Sequence, residues 1–436
     1  MTEPTFKRYS ILILIFFTVV VSYVGRSNLS VAAVAFQQEL GFSTIQLGFV
    51  FSAFAWTLFT AHFSSKVLGN FVGSRLLNSL FLVAWSMATV ALGAINSLTA
   101  FIGLRTLMGV FDASSYWVNE KIVKRWFPEQ EQYGAKSVYT SAPYLGLACF
   151  TPLLIITQNY LGWRGLLMGS GVVGLGAALL WYAIYRDPTE HRGVNQTELE
   201  YISPTESSKS KRPRVKESSI HSVKSYREVL VQREFWGLFI NQFCQSSLFI
   251  FFITWFPIYL VRDQGLDFIQ LGFWASFPFI AAFAGALMAG SVSFYFEQKG
   301  RTTTAAKRAP ILAGLFFSIF IAGANFTDST IILMTFLSLA LFGNGLASMG
   351  GLMVTSLASE RLTGLVKGLL ITIDGLSAAI TPVAIGYLVA GGDFAPAILY
   401  LGILASVGLG SYLLLAKNIP PFDHPIWKIH RRKAKS

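Results

Sequence analysis

The sequence predicts an all-α membrane protein with twelve transmembrane helices in two six-helix halves, and three observations support this. Of the 436 residues, 53% are hydrophobic and only 13% are charged, which is about half the charged fraction of a typical soluble domain. Apolar runs of about 20 residues, the length that crosses a bilayer, recur along the chain. A polar segment divides these runs into two groups of six, an arrangement typical of transporters built from two repeats.

The predicted spans follow one another with short connections on either side of the central polar segment. Their boundaries come from hydropathy alone and therefore mark the apolar cores of the helices. They cover approximately residues 10–34, 44–63, 76–96, 99–120, 135–157, 161–185, 235–261, 269–294, 310–326, 330–352, 364–390 and 394–415.

The central segment, 186–234, has a different composition from the rest of the chain. It is rich in Ser, Lys, Arg and Glu, so it cannot bury enough apolar surface to fold alone. We expect a flexible cytoplasmic linker. The predicted organisation is therefore an N-terminal half (1–185), this basic linker, a C-terminal half (235–415) and a basic cytoplasmic tail (416–436).

The net charge of +12 is distributed in a way that orients the protein in the membrane. All but four of the 34 Lys and Arg residues fall in segments assigned to one side, the exceptions being Arg26, Arg105, Arg164 and Arg262. This asymmetry follows the positive-inside rule and predicts that both termini are cytoplasmic. It also explains the basicity without a nucleic-acid partner.

Motifs of enzymes, metal sites and ATP-driven pumps are not found. Cys149 and Cys244 both lie in apolar runs, so neither a disulfide framework nor a metal site is expected. No phosphate-binding glycine loop, HExxH motif or serine-nucleophile elbow is recognisable. The sequence predicts no enzymatic activity and no cofactor. Any energy for transport would come from a gradient.

Charged residues inside the predicted spans are the strongest functional signal. Arg26 lies in the first span, and the fourth contains Arg105 and Asp112, whose seven-residue spacing places them on one helix face. Intramembrane charges are costly and usually face a pathway or a substrate. Two guanidinium groups at similar depth favour a carboxylate or phosphate ligand. The alternative is structural, with Asp112 and backbone carbonyls neutralising both arginines.

Two further titratable residues are weaker candidates for proton coupling. Asp374 is the lone acidic residue inside the eleventh span, where carboxylates are often functional. His62 lies near the inner end of the second span and could titrate near neutral pH. A satisfied polar group near the interface is the alternative for His62.

Four stretches resemble the anion:cation symporter family of the major facilitator superfamily, which includes galactonate and hexuronate transporters, sialin and vesicular glutamate transporters. The likeness itself covers nearly the whole chain, and these four stretches carry it. They are YVGRSNLSVA (23–32), RTLMGVFDASSYWVNEKIVKRWFPEQEQ (105–132), GWRGLLMGSGVVG (162–174) with the RDPTEHRGVNQTELEYI that follows the sixth span, and REFWGLFINQF through WFPIYLV in the seventh span.

The resemblance implies a major facilitator fold and specific roles for four residues. Arg26 and Arg105 stand where the family's arginines bind the substrate carboxylate, and Tyr23 stands where a tyrosine lines that site. Asp112 stands where a glutamate usually takes part in proton coupling. The family's aspartate before the first-span arginine is Gly25 here, so we expect weak coupling, carried by Asp112.

These observations together predict a secondary active transporter of a small organic anion, such as a sugar acid or another carboxylate, that works by alternating access. Proton symport is one option for its energy source. The alternatives are an anion exchanger, facilitator or exporter without proton coupling, and a transporter-like solute receptor. We expect a monomer that spans the lipid bilayer of a bacterial inner membrane many times.

Overall fold

The computed structural model describes residues 4–128, 131–202, 229–266, 268–299, 303–348 and 360–415, and these residues form helices and no strands. This confirms the predicted all-α class. The helices are α1 (Lys7–Leu40), α2 (Thr44–Val72), α3 (Ser74–Leu92), α4 (Leu98–Trp126), α5 (Gln132–Ile184), α6 (Gln196–Ile202), α7 (Arg233–Thr254), α8 (Phe256–Arg262), α9 (Phe268–Trp274), α10 (Ser276–Gln298), α11 (Thr303–Ser318), a 3₁₀ segment (Ile319–Phe326), α12 (Thr330–Ala347), α13 (Glu360–Leu388) and α14 (Ala395–Leu415).

Nine helices in the described part are long and apolar enough to cross a membrane. One of them, α5, corresponds to two predicted spans. A straight helix over its 51-residue candidate span, 134–184, would be about 75 Å long, far more than one bilayer crossing requires. The chain instead kinks at Gly162, whose φ of 67° and ψ of 177° leave the helical region. The kink lies at the start of predicted span six, and the total of twelve spans remains a prediction.

The seventh and eighth predicted spans each contain a break in the helix. The seventh, 235–261, divides into α7 and α8 at Trp255, and the eighth divides into α9 and α10 near Ala275. Pro257 explains the first break. Proline has no N–H to continue the hydrogen-bonding ladder, so it favours the first turn of a new helix, and Pro257 lies in the first turn of α8.

The described residues group into two compact units. One lies within Met1–Glu217, Phe252–Ser276 and Ala379–Asp393, and the other within Ser218–Phe251, Phe277–Ala378 and Phe394–Ser436. The first contains Arg26, Arg105 and Asp112, and the second contains Asp374. The simpler sequence-based division at the linker remains a prediction.

The beginning of the linker is structured, contrary to the prediction of a wholly flexible segment. Its helix α6 places Glu198, which is fully buried, at the start of α1, where the carboxylate accepts hydrogen bonds from the backbone N–H groups of Lys7 (3.1 Å) and Arg8 (3.2 Å). The first N–H groups of a helix lack partners within the helix, and an acidic side chain there is stabilising. Arg8 also pairs with Glu131 at 3.0 Å. These contacts fix α6 to α1 and to the chain before α5.

Replacement of Glu198 by Gln should destabilise the protein by about 1–3 kcal/mol near neutral pH. Burial acts to raise the pKa of Glu198, but the hydrogen bonds from Thr5, Arg8 and Lys7 outweigh it and lower the pKa. A lowered pKa stabilises the folded state above the ordinary glutamate range, and this contribution is lost as the pH falls through the folded-state value.

Thermal unfolding of the purified protein from neutral pH down to about pH 3, below the ordinary glutamate range, measures this effect. The difference between the parent and Glu198→Gln should be largest near neutral pH and should shrink as the pH falls. Glu200→Gln, on the exposed side of the same short helix, is the matched control and should change little. Equal unfolding temperatures for all three proteins would contradict the assigned role of Glu198.

Candidate functional site

The first element of the site is an ion pair between α1 and α4. Arg26 Nη2 lies in direct contact with Asp112 Oδ2, and Ser22 Oγ donates a hydrogen bond to Asp112 Oδ1 at 3.2 Å. Ser22 and Arg26 are four residues apart, so both project from the same face of α1. Asp112 is only 5% exposed. The charge of Asp112 is therefore balanced by Arg26 on α1. Arg105, which is on the same helix as Asp112, does not form this ion pair.

Arg105 has no such balance among the described residues. Its side chain is 3% exposed, and its Nε and Nη1 atoms, like Arg26 Nε, are buried and make no hydrogen bond to the described part of the protein. The ion pairs found there do not include Arg105. A buried cation without a partner is strongly unfavourable. The site thus contains three guanidinium nitrogen atoms, two of Arg105 and one of Arg26, that donate no hydrogen bond to the described residues.

Aromatic rings from α1 and α2 hold the two guanidinium groups. The ring of Phe54 lies 5.1 Å from the Arg26 guanidinium carbon and 5.2 Å from that of Arg105, and the Tyr23 ring lies 4.3 Å from Arg26. Aromatic faces attract cations at these distances without satisfying their hydrogen bonds. The Arg26, Arg105 and Asp112 group has a formal charge of +1, which one carboxylate would neutralise.

Close packing of α2 on α4 brings Phe54 to Arg105. At Gly109, one turn after Arg105, an added Cβ would lie 2.0 Å from the backbone oxygen of Phe54. Only glycine permits this approach. Thr57 Oγ1 donates to the backbone oxygen of Thr106 at 2.5 Å and ties the two helices together beside the site.

Gly25 stands where the resembling family has an aspartate, and the space for that side chain is occupied by another residue. An added Cβ at Gly25 would lie 1.8 Å from the indole ring of Trp85 on α3, and Trp85 is 3% exposed. The ring thus occupies the space of the missing side chain. A carboxylate at position 25 would therefore not fit beside Trp85 as the ring is placed.

Asp374 belongs to a separate polar group in the second unit. Gln242 Nε2 donates to Asp374 Oδ1 at 2.7 Å, and Ser246 Oγ contacts the same oxygen. The side chain of His62 lies outside the described residues. No group of three or more His, Cys, Asp or Glu side chains suited to a metal ion occurs among those described.

Sequence reasoning found the charged residues of the site but not their neighbours. Ser22, Phe54 and Ser246 were not predicted. Ser22 could have been found from its four-residue spacing to Arg26, which places it on the same helix face. Phe54 gives no comparable signal, because it is one of 38 phenylalanines in the chain.

Comparison with known proteins identifies the family. The model of the Major Facilitator Superfamily matches residues 15–306. The chain belongs to this superfamily. The predicted family is thereby confirmed, and so is a transporter fold in place of an enzyme.

Curated members of the superfamily are similar over nearly their whole length. A D-galactonate transporter of Escherichia coli O6:H1 is 37% identical over 96% of this chain and 97% of its own. A probable galactarate/D-glucarate transporter of Bacillus subtilis is 33% identical over 96% of this chain and 93% of its own. The chain is thus an integral, multi-pass membrane protein.

Among solved structures, the fold is similar to that of a bacterial homologue of the human lysosomal transporter Spinster, in an inward-facing and unoccupied conformation. The TM-score is 0.76 at 14% identity, with 96% of this chain and 98% of the other covered. At this identity the likeness concerns the fold alone.

Proposed function

We propose that the chain is a secondary active transporter that carries a sugar acid by alternating access. The observation that carries this proposal is the formal charge of +1 at Arg26, Arg105 and Asp112, with buried guanidinium N–H groups that lack acceptors. A carboxylate supplies both the charge and the acceptor oxygens. The named substrates of the similar transporters, galactonate, galactarate and glucarate, all contain that group.

The proposed roles follow from the contacts of each residue. Arg105 binds the substrate carboxylate through its unpaired Nε and Nη1 atoms, and Arg26 contributes its Nε while it holds Asp112. Tyr23 orients Arg26 by contact with its ring. Because the group has one excess positive charge, it favours a sugar monocarboxylate such as galactonate over the dicarboxylates galactarate and glucarate.

Thermal unfolding of the purified protein with added ligands tests the substrate class. Galactonate should raise the unfolding temperature in a concentration-dependent way, because a ligand that binds only the folded state stabilises it. Galactitol, which has the same chain of hydroxyl groups but no carboxylate, should have no effect, and galactarate should have a smaller one than galactonate. Stabilisation by galactitol equal to that by galactonate would contradict a site built around a carboxylate.

Proton coupling through Asp112 is a further part of the proposal, and the geometry gives it a mechanism. Protonation of Asp112 would break its ion pair and free Arg26 for the anion. The Arg26–Asp112 contact and the replacement of a second carboxylate by the Trp85 ring favour weak coupling at this site. The same contacts favour exchange or facilitated flux as the alternative. A receptor-only role would be excluded by uptake into liposomes.

The orientation is also proposed, with both termini and the linker in the cytoplasm of a bacterial cell and the helices in its inner membrane. In a protein with Cys149 and Cys244 replaced by Ser, a cysteine at Ser208, which lies outside the described residues, should react with an impermeant maleimide only after lysis. A cysteine at the exposed Asp328, between predicted spans nine and ten, should react in intact cells. The reverse pattern would overturn the orientation.

A further inference from the structure

Asp374 lies at the middle of α13, fourteen residues from each end. A carboxylate at this depth in a membrane helix is costly, and residues of this kind are commonly part of an ion pathway. Asp374 is partly exposed within the second unit. It is therefore neither sealed in a core nor placed at the membrane surface.

The partners of Asp374 are neutral. Gln242 Nε2 and Ser246 Oγ, both on α7, donate to its Oδ1 atom. Their four-residue spacing places the two donors on one face of α7. Within the described residues Asp374 makes no ion pair, and its Oδ2 atom accepts no hydrogen bond. One oxygen is held by the protein, and the other remains for a cation.

The charged residues nearest to Asp374 and Gln242 on their own helices are about 10 Å or more away along the helix axis. Helices α7, α11, α13 and α14 pack together in this unit. On α13 the nearest basic residue is Lys367, seven residues or about 10 Å before Asp374. On α7, Glu234 lies eight residues or about 12 Å before Gln242. The other titratable side chains described on these helices are Arg233 and Cys244 on α7, Arg308 on α11, Tyr387 on α13, and Tyr400 and Tyr412 on α14.

Asp112 offers a contrast. Its charge is already neutralised by Arg26, so a cation can bind there only by breaking that ion pair. Asp374 has a negative charge that nothing described in its unit neutralises. A proton or a monovalent metal ion that bound Oδ2 would remove the charge without disturbing the arginines of the first unit.

We propose that Asp374, held by Gln242 and Ser246, binds the cation whose gradient drives transport. The cation is a proton, which converts the carboxylate to a carboxylic acid at Oδ2, or a sodium ion, which takes Oδ2 as an oxygen ligand. The cation leaves the same atom when the site faces the other side. This inference rests on the proposed function, and it places the main coupling step at Asp374, in addition to the weak coupling proposed for Asp112.

Two assays in liposomes test the proposal on the full chain. The first measures accumulation of labelled galactonate driven by a pH gradient or, in a separate arm, by a sodium gradient. The second measures counterflow, the exchange of labelled for unlabelled galactonate without any gradient. Asp374→Asn should lose accumulation and keep counterflow. Asp374→Glu, which retains a carboxylate, should keep both, and so should the control Asp328→Asn in an exposed loop.

The accumulation and counterflow assays together identify the cation and can overturn the proposal. The arm in which the parent protein accumulates galactonate identifies the cation as a proton or as sodium. The proposal is overturned if Asp374→Asn still accumulates galactonate, if it loses counterflow as well, or if the parent accumulates under neither gradient. Absence of counterflow in the parent is a different result, since it contradicts the proposed transport function itself.

Discussion

Arg105→Lys should weaken binding of galactonate by at least about tenfold, because hydrogen bonds to charged groups contribute about 1.5–3 kcal/mol. Lysine keeps the charge but not the planar fork that meets a carboxylate with two parallel N–H groups. Arg26→Lys should weaken binding too, with the added loss of the contact to Asp112. Calorimetric titration of the purified variants measures these affinities.

Two controls separate substrate binding from a structural role for Arg105. Arg164→Lys changes an arginine that pairs with Glu39 at 2.5 Å on partly exposed side chains, and it should bind galactonate normally. Arg105→Met removes an unpaired buried charge. It should therefore abolish binding and leave the empty protein at least as stable as the parent. If Arg105→Met strongly destabilises the protein, and Arg105→Lys and Arg26→Lys bind galactonate with normal affinity, the arginines have a structural role.

Gly25→Asp should destabilise the protein strongly, since its Cβ would lie 1.8 Å from the Trp85 ring. Insertion of atoms into a packed interior commonly costs about 1–3 kcal/mol, and an aspartate adds the cost of a buried charge. Since the resembling family has an aspartate at this position, a carboxylate there should also strengthen the pH dependence of transport. We now expect that result only when Trp85 is replaced by a smaller residue in the same protein.

A double-mutant cycle measures the coupling between the two positions. Trp85→Ala alone should also destabilise, by about 3–5 kcal/mol, because it leaves a cavity. The double variant should be more stable than the sum of the two changes predicts, and its galactonate flux should depend more strongly on pH. Gly25→Ala separates the steric effect from the added charge. Gly103→Ala is its control, because an added Cβ at Gly103 meets no neighbour within 4 Å. Additive stability effects would contradict the steric account.

The sequence predicted the helical class and the charged residues of the site, because both depend on local composition. It could not predict how the charges pair. Arg105 and Asp112 share a helix face, but their seven-residue spacing separates them by about 10 Å along the axis. Asp112 instead meets Arg26, which comes from another helix. Pairing of this kind depends on how helices pack.

The same limit explains the positions that were predicted incompletely. The loss of an acidic residue at Gly25 was visible in the sequence, but its replacement by the distant Trp85 ring was not. The linker composition indicated flexibility, yet the buried contacts of Glu198 stabilise its first part. In each case a contact between residues far apart in the chain decides the local structure, and hydropathy does not report such contacts.

Counterflow of labelled galactonate in liposomes tests the central claim most directly, because it requires both binding and alternating access but no driving gradient. The account predicts exchange by the parent protein, competition by unlabelled galactonate but not by galactitol, and loss of exchange in Arg105→Met. Exchange that survives in Arg105→Met, or that galactitol inhibits as strongly as galactonate does, would contradict an anion transporter organised around Arg105.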